Sequence, residues 1–320
     1  MDVVEKKINL VILLGSLGGG GAERCLMNLA KALDKSTYSI SIIISKKIIE
    51  YNVDCLGDVN IISLDSAKTV FCGFKLRKVL KKIHPDLVLS ATYMMSVVAS
   101  FFLPKKLPFI VRESCIVSKR SRNKTEEILQ RIFYIKINSR AKRIICQSVA
   151  MQKDIIRHLK LNPEKTQLIP NLVDTAFLEK YESQECFGDE LKLIFVGRLH
   201  FEKGLDLLFR AIKLCKRKLT LTVLGQGPDE DELKSLADSL GLREKIFWGG
   251  FQPEPYKLMV NCDVLMLPSR TEGFPNIVLE ASCLGMPTIA FSAAGGTCDV
   301  IKEGVNGRLV KFSTEDLADA

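Results

Sequence analysis

Two glutamates, Glu272 and Glu280, stand in the run Pro268-Ser269-Arg270-Thr271-Glu272-Gly273-Phe274-Pro275-Asn276-Ile277-Val278-Leu279-Glu280-Ala281. The apolar stretch Val264 to Leu267 ahead of it reads as a strand, and Pro275 suits the first turn of a helix. Glu272 then falls just before that helix and Glu280 inside it, where two carboxylates could accept hydrogen bonds from the vicinal hydroxyls of a sugar or ribose. A solvated helix face gives the same spacing with no ligand. A second loop, Gly197-Arg198-Leu199-His200-Phe201-Glu202-Lys203-Gly204, follows the apolar run Leu191 to Val196 and precedes a helix beginning near Leu205. Arg198 and Lys203 flank it, so both could reach one phosphate-bearing ligand, Arg as a planar fork and Lys as a point charge; taken alone, two loop cations are as readily explained by solvent.

A third loop, Gly15-Ser16-Leu17-Gly18-Gly19-Gly20-Gly21, follows the apolar run Ile8 to Leu14 and leads into a helix with Leu26, Leu29, Ala30 and Leu33 on one face. Successive glycines let backbone N–H groups approach an anion, with a helix N-terminus aimed at it; a plain glycine turn is the alternative. G-x-G-x-x-G fails in every register, no acidic residue ends the second strand (Ile44-Ser45-Lys46-Lys47), and no Gly-Lys-Ser/Thr follows, so neither a dinucleotide fingerprint nor a Walker A loop is present. The acidic triplet Asp229-Glu230-Asp231 stands at a helix start, where it complements the helix dipole rather than holding a metal. His84 and His158 lie towards helix ends, and His200 sits in the second loop.

These loops need strands to present them. Short β-rich runs alternate with helical stretches throughout: Ile8 to Leu14, Ile40 to Ser45, Asn60 to Leu64, Asp86 to Ser90, Pro108 to Val111 and Arg143 to Cys146, then Leu191 to Val196, Leu219 to Leu224, Lys245 to Trp248, Val264 to Leu267, Thr288 to Phe291 and Gly307 to Val310. Most are continuously apolar, as strands buried on both faces are, which predicts two doubly wound α/β domains of parallel sheet. The expected boundaries are residues 1–170, a linker over 171–190 that opens near Ile169-Pro170-Asn171, and residues 191–320. Ligands of such sheets bind beyond the carboxyl ends of the strands, and two domains facing across a cleft would enclose one between them.

The 320 residues, 47% hydrophobic and 26% charged, exclude disorder and disulfide miniproteins. Ten cysteines without a C-x-x-C pair argue against a zinc cage and suit a reducing cytosol. Leu87 to Leu103 is interrupted by Ser90, Thr92, Ser96 and Ser100, so it reads as a buried strand and helix rather than a membrane span. The net charge of +9 is uneven: through Gln167 there are 29 Lys and Arg against 14 Asp and Glu, and beyond it 17 against 23. A basic first half implies an anionic partner. Nucleic acid is disfavoured by one Trp, few aromatics near the cations and no reading motif.

Taken together, Val196 to Gly204, the Glu272 to Glu280 spacing, Ile169-Pro170-Asn171-Leu172-Val173-Asp174 and the early Gly-Gly-Ala-Glu-Arg closely resemble family 4 of the retaining glycosyltransferases, over nearly the whole chain. The resemblance implies a GT-B fold, two Rossmann-like doubly wound domains, with the acceptor held mainly by the first and a nucleotide-sugar donor mainly by the second. It implies that Arg198 and Lys203 bind the donor diphosphate, that Glu280 binds the ribose, and that Glu272 faces the donor sugar. Backbone groups of Gly273, Phe274, Pro275 and Asn276 would surround sugar and phosphates, and Gly19, Gly20 and Gly21 would come close to the diphosphate on closure. No metal or other cofactor is implied; the leaving phosphate would take the acceptor proton in a front-face substitution. Many relatives carry a His after the strand that ends near Val111, whereas this chain reads Arg112-Glu113, as in a subset of the family. Both are candidates for touching donor sugar or acceptor, against the alternative of a structural salt bridge.

The expected reaction moves a hexose or N-acetylhexosamine, from a UDP-sugar by default, to a hydroxyl of a lipid-linked or cell-surface glycan. A sugar-nucleotide epimerase on the same fold and a non-catalytic nucleotide-sugar binder are the alternatives. Relatives continue for several helices beyond the equivalent of Ala320, so the second domain is expected to be short. Between Lys119 and Arg143, Lys119, Arg120, Arg122, Lys124, Arg131, Lys136, Arg140, Lys142 and Arg143 interleave with Ile128, Leu129, Ile132, Phe133 and Ile135, and Lys75, Arg77, Lys78, Lys81 and Lys82 form a second basic cluster. An ordinary helix packing its apolar side on the core is one reading. The other is a cytoplasmic enzyme peripheral to the anionic inner face of the cell membrane.

Overall fold

The computed structural model describes residues 6–121, 123–181, 188–292 and 295–320. Arg122, Cys186 and residues 182–187 of the expected linker lie outside them. The chain divides into two compact units, Met1–Leu172 and Val173–Ala320. In the first, the strands are β1 (Ile8–Leu14), β2 (Tyr38–Ile44), β3 (Asn60–Ser63), β4 (Leu87–Ser90), β5 (Phe109–Arg112), β6 (Arg143–Cys146) and β7 (Thr166–Leu168). Its helices are α1 (Gly21–Ala32), α2 (Gly73–Ile83), α3 (Tyr93–Phe102), α4 (Lys124–Arg140) and α5 (Val149–Leu159). The second unit contains α6 (Thr175–Leu178), β8 (Leu191–Val196), α7 (Leu205–Leu214), β9 (Leu219–Leu224), α8 (Glu230–Ser239), β10 (Ile246–Gly250), α9 (Tyr256–Met259), β11 (Val264–Leu267), α10 (Asn276–Cys283), β12 (Thr288–Phe291), β13 (Gly307–Val310) and α11 (Thr314–Ala318).

Both sheets are parallel and doubly wound. The first runs β3-β2-β1-β4-β5-β6-β7 and the second β10-β9-β8-β11-β12-β13. In each, the strand order reverses beside the first strand, between β1 and β4 and between β8 and β11 (Leu10 beside Leu87, Val264 beside Leu193). That reversal leaves a crevice beyond the carboxyl ends of two neighbouring strands, the place where such sheets take ligands. Strands covered on both faces explain the continuous apolar runs: alternate residues of β1 enter different cores, Val11 and Leu13 on one side and Leu10, Ile12 and Leu14 on the other.

Three local expectations differ from what forms. Thr166–Leu168 adds an edge strand where the sequence placed only the approach to a linker, because the strand is three residues long and buries only Thr166. Helix α10 starts at Asn276, so Pro275 caps it from extended backbone instead of sitting in its first turn. Helix α4 does not turn its aliphatic side to the core: Gln130, Tyr134 and Ile137 are buried, whereas Ile128, Leu129, Ile132 and Ile135 are exposed.

Close backbone approach ties the loops of the second unit together. Gly225, at the end of β9, has φ +140°, and a Cβ there would stand 1.8 Å from the Gly197 carbonyl oxygen. Gly225→Ala is expected to destabilise the unit by at least about 2 kcal/mol, because strained φ and clash combine. A fall of several degrees in the thermal unfolding midpoint, followed by circular dichroism, checks this.

Candidate active site

The loop after β8 and the loop after β11 leave the two strands that flank the reversal of the second sheet, and a glycine clamps them. Gly204 has φ +68°, and a Cβ on it would meet the Pro268 carbonyl oxygen at 1.9 Å; only glycine allows that approach. The Arg270 N–H donates to the Glu202 carbonyl at 2.8 Å. The Arg270 guanidinium grips Asp206, in the first turn of α7, through two hydrogen bonds of 2.8 Å, donates to the Phe201 carbonyl at 2.7 Å and lies 3.9 Å from the Phe201 ring centre. A forked pair of this kind fixes orientation as well as distance.

Within that clamp, Lys203 Nζ donates to Glu272 Oε1 at 2.6 Å, and Ser269 Oγ donates to the same oxygen at 2.7 Å. Glu272 is 8% exposed and Glu280, one turn into α10, is 5% exposed. The Glu272 backbone also bridges to Gly295, and its carbonyl accepts from Gly296 N at 2.9 Å. Arg198 is exposed at the start of the first loop, Gly273 and Pro275 are buried, and Phe274 and Asn276 are half-buried. The expected residues Arg198, Lys203, Glu272, Gly273, Phe274, Pro275, Asn276 and Glu280 therefore all belong to the ends of β8 and β11 and the start of α10. Burying an unpaired carboxylate is costly, and Lys203 and Ser269 meet that cost for Glu272.

The first unit presents its own crevice. In the glycine loop after β1, Gly19 takes φ +76°, Gly20 caps α1 from extended backbone, and Gly21 is its first residue. Thr92, just after β4, and Arg112, the last residue of β5, each keep a buried polar atom, Oγ1 and Nη1, with no hydrogen-bond partner among the described residues. Thr92 Oγ1 lies 3.9 Å from where a Gly15 Cβ would be. Arg112 Nη2 donates to Asn171 Oδ1 at 2.6 Å. Burial pushes its guanidinium down from the usual arginine value, opposed by Cys25, Glu23 and Glu113 nearby.

Glu113 is separated from its chain neighbour. It is 3% exposed, and its oxygens accept from Arg120 Nη2 at 2.9 Å and from the Tyr134 hydroxyl at 2.7 Å, while Arg120 Nη1 also donates to that hydroxyl. Burial, and then the Glu113 charge, push the Tyr134 hydroxyl well above its ordinary value. Glu113 thus occupies a structural network with Arg120 and does not pair with Arg112.

Arg120, Tyr134, Ser269, Arg270 and Asp206 were not legible as site-supporting residues. Arg270 and Asp206 are far apart in sequence, and no local pattern links them; Gly204, directly before a helix, was the one available hint of close packing. The Asp-Glu-Asp triplet lies at the start of α8 as expected, with Glu230 accepting from Lys234 at 2.7 Å. Among the described residues, no group of three His, Cys, Asp or Glu side chains is placed to hold a metal ion.

Two family models match the chain, Glycosyltransferase Family 4 over residues 19–177 and Glycosyl transferases group 1 over residues 178–320. The chain belongs to this glycosyltransferase family and is a glycosyltransferase. One similar protein is the N-acetylgalactosamine-N,N'-diacetylbacillosaminyl-diphospho-undecaprenol 4-alpha-N-acetylgalactosaminyltransferase of Campylobacter jejuni, 24% identical over 96% of this chain and 87% of that protein. Another is the lipopolysaccharide 1,6-galactosyltransferase of Salmonella typhimurium, 34% identical over 36% of this chain and 34% of that one. Among solved structures, HepE of Anabaena in complex with UDP-glucose matches with TM-score 0.82 and 22% identity, over 98% of this chain and 88% of that one. WaaG, a glycosyltransferase involved in lipopolysaccharide biosynthesis, matches with TM-score 0.73 and 17% identity over 97% and 88%. Those likenesses establish the fold, the GT-B class of two Rossmann-like domains.

The Asp206–Arg270 pair gives a pH-dependent expectation. Burial alone would raise the Asp206 carboxyl, but hydrogen bonding and charge from Arg270 outweigh it and hold the group below its ordinary value of 3.8. A depressed carboxyl stabilises the fold above the unfolded value and loses that contribution as pH falls through the folded one. Asp206→Asn is therefore expected to cost about 1–2 kcal/mol near neutral pH, discounted for partial exposure, with the difference from wild type shrinking below about pH 4. Thermal unfolding of both proteins across that range tests it.

Proposed function

We propose that this glycosyltransferase moves a hexose or N-acetylhexosamine from a nucleotide diphosphate sugar, a UDP-sugar, to a hydroxyl of a lipid-linked or lipopolysaccharide-type glycan, with retention at the anomeric carbon and without a metal. The observation that carries this is the Lys203–Glu272 contact at 2.6 Å beside the sheet reversal, with Glu280 buried at the start of the adjacent helix. In this reading, Glu280 accepts hydrogen bonds from the ribose hydroxyls, and Glu272, oriented by Lys203 and Ser269, accepts from hydroxyls of the donor sugar. Lys203 and Arg198 face the diphosphate and offset the charge that develops as it leaves. Backbone N–H groups at the start of α10 add to that field.

The acceptor oxygen forms its bond to the anomeric carbon on the face from which the diphosphate departs. The bond to the leaving phosphate oxygen breaks, and that oxygen takes the acceptor proton, so no side-chain base is needed. The glycine loop, Gly19 to Gly21, approaches the diphosphate, and Arg112, with its buried unpaired Nη1, orients the acceptor or the transferred sugar. HepE was solved with UDP-glucose, which supports the donor class, and the Campylobacter and Salmonella relatives support the acceptor class. No helix among the described residues is long and apolar enough to cross a membrane. A cytoplasmic enzyme held peripherally at the inner face of the membrane by its basic first half fits such an acceptor.

The direct test is a thermal shift of the purified chain with UDP, GDP and ADP, each with and without EDTA, since a ligand that binds only the folded protein raises its midpoint. A rise with UDP that EDTA leaves unchanged is expected; a GDP- or ADP-selective rise overturns the donor base, and loss of the rise with EDTA overturns metal independence. Glu280→Ala is expected to raise the Kd for UDP about tenfold, the loss of one or two charge-assisted hydrogen bonds. Lys203→Ala is expected to lower kcat about a hundredfold while the Kd changes by about threefold or less.

For Arg112, Arg112→Lys is expected to raise the KM for acceptor about tenfold while leaving the Kd for UDP unchanged, since Lys cannot keep the fork on Asn171 and still present a second nitrogen. Steady-state kinetics with varied acceptor checks it.

A further inference from the structure

Strands β4 and β5 leave the first sheet side by side, Ser90 paired with Val111, and just beyond that pair stand Thr92 and Arg112. Thr92 is the N-cap of α3, in extended backbone with φ −123° and ψ 139°, yet its side chain makes no capping hydrogen bond. A threonine there ordinarily accepts from the first turn of its helix and stabilises it. Its Oγ1 instead lies buried with no partner among the described residues, 3.9 Å from where a Gly15 Cβ would be. Hydroxyls close by are engaged: Ser96 Oγ donates to Ser90 Oγ at 3.0 Å, and Ser45 Oγ donates to the Gly15 carbonyl at 2.8 Å and lies 2.9 Å from Thr69 Oγ1. Arg112, 7% exposed, commits Nη2 to Asn171 and leaves Nη1 unmet.

A buried polar atom left unmet is costly and calls for a reason. The two atoms differ in what they can do: Arg112 Nη1 only donates, whereas the Thr92 oxygen also accepts. A sugar hydroxyl needs both, a donor to its oxygen and an acceptor for its proton; an anion needs donors alone. Charge points the same way. Burial pushes the Arg112 guanidinium down and Cys25, Glu23 and Glu113 oppose it, so two carboxylates already stand within electrostatic reach of its single charge. We propose that Thr92 is a specificity-determining residue for the acceptor: its Oγ1 accepts from a non-reacting hydroxyl of the acceptor sugar, and Arg112 Nη1 donates to the oxygen of that same hydroxyl. Neighbouring strands lie about 4.8 Å apart, a span that one hydroxyl can bridge. The attacking hydroxyl keeps its proton for the leaving phosphate and is touched by neither group. This rests on the acceptor role proposed for the first unit and names the pair within it that reads a hydroxyl. An acceptor lacking that hydroxyl leaves both atoms unpaired and is rejected for it.

Titration calorimetry of octyl galactoside and octyl N-acetylgalactosaminide into the whole chain saturated with UDP tests this. Thr92→Val, which puts a methyl in place of the hydroxyl at equal shape, is expected to raise the glycoside Kd about tenfold and to leave the Kd for UDP unchanged. Its unfolding midpoint without ligand is expected to stay level or rise by about 2 °C, because an unmet polar atom is removed. Thr92→Ser keeps the hydroxyl and is expected to bind the glycoside within about threefold of the wild type. Thr92→Val combined with Arg112→Lys is expected to bind no more weakly than the weaker single variant, since two groups that hold one hydroxyl fail together. Equal glycoside Kd values for wild type and Thr92→Val would overturn the proposal, as would additive losses in the double variant. A fall in the midpoint of Thr92→Val would show that the hydroxyl serves the fold and would overturn it too. Failure of the wild type to bind either glycoside while UDP binds would instead overturn the glycan-acceptor reading, and the proposal with it.

Discussion

The approach of Gly204 to the Pro268 carbonyl is the constraint on which the arrangement of charged groups in the second unit depends. Two loops that leave neighbouring strands would ordinarily be held apart by side chains. With no Cβ at residue 204, their backbones close to contact, and Arg270 then spans them to reach Asp206 and the Phe201 carbonyl. Once the loops are locked, Lys203 and Glu272 have little choice but to meet, and Ser269 completes the carboxylate's partners. The two charged groups are thus held in place by the fold itself, an arrangement of the kind that preorganised electrostatics uses.

The first unit solves a related problem by different means. Its strand-end carboxylate, Glu113, is buried with Arg120 and Tyr134 and ties the loop after β5 to α4. Removing one member would leave a buried charged or polar group uncompensated, which is costly. Arg112, one residue earlier, faces elsewhere, towards Asn171 and the first turns of α1. Adjacent residues at the end of an extended strand point to opposite sides, and that alternation turns one Arg-Glu dipeptide into two separate devices.

Much of this was legible in the sequence, for identifiable reasons. Strands covered on both faces announce themselves as apolar runs, so β1, β6, β8, β9, β11, β12 and β13 were bounded correctly, and the loops with chemistry fell at their ends. At the start of α11, Ser313 caps the helix and exchanges hydrogen bonds with Asp316. What stayed hidden was whatever depends on a distant partner. Nothing local distinguishes Arg270 from a solvated arginine until Asp206 is beside it. Nor could periodicity tell which side of α4 faces the core, since Gln130 and Tyr134 are buried for their hydrogen bonds to Val117 and Glu113 and displace the isoleucines outward.

The doubled strand order carries a kinetic consequence. In both sheets the central pairing joins segments far apart along the chain, Leu10 with Leu87 and Leu193 with Val264. During synthesis β1 and β8 emerge long before β4 and β11, so each sheet must hold an apolar centre strand without one neighbour while the intervening helices form. Parallel pairings of such sequence separation are slow to close and leave unpaired edges exposed meanwhile. The crevice at each reversal therefore lies on the seam that joins the strands farthest apart in sequence, and the wait for the second strand leaves the nascent chain exposed to aggregation.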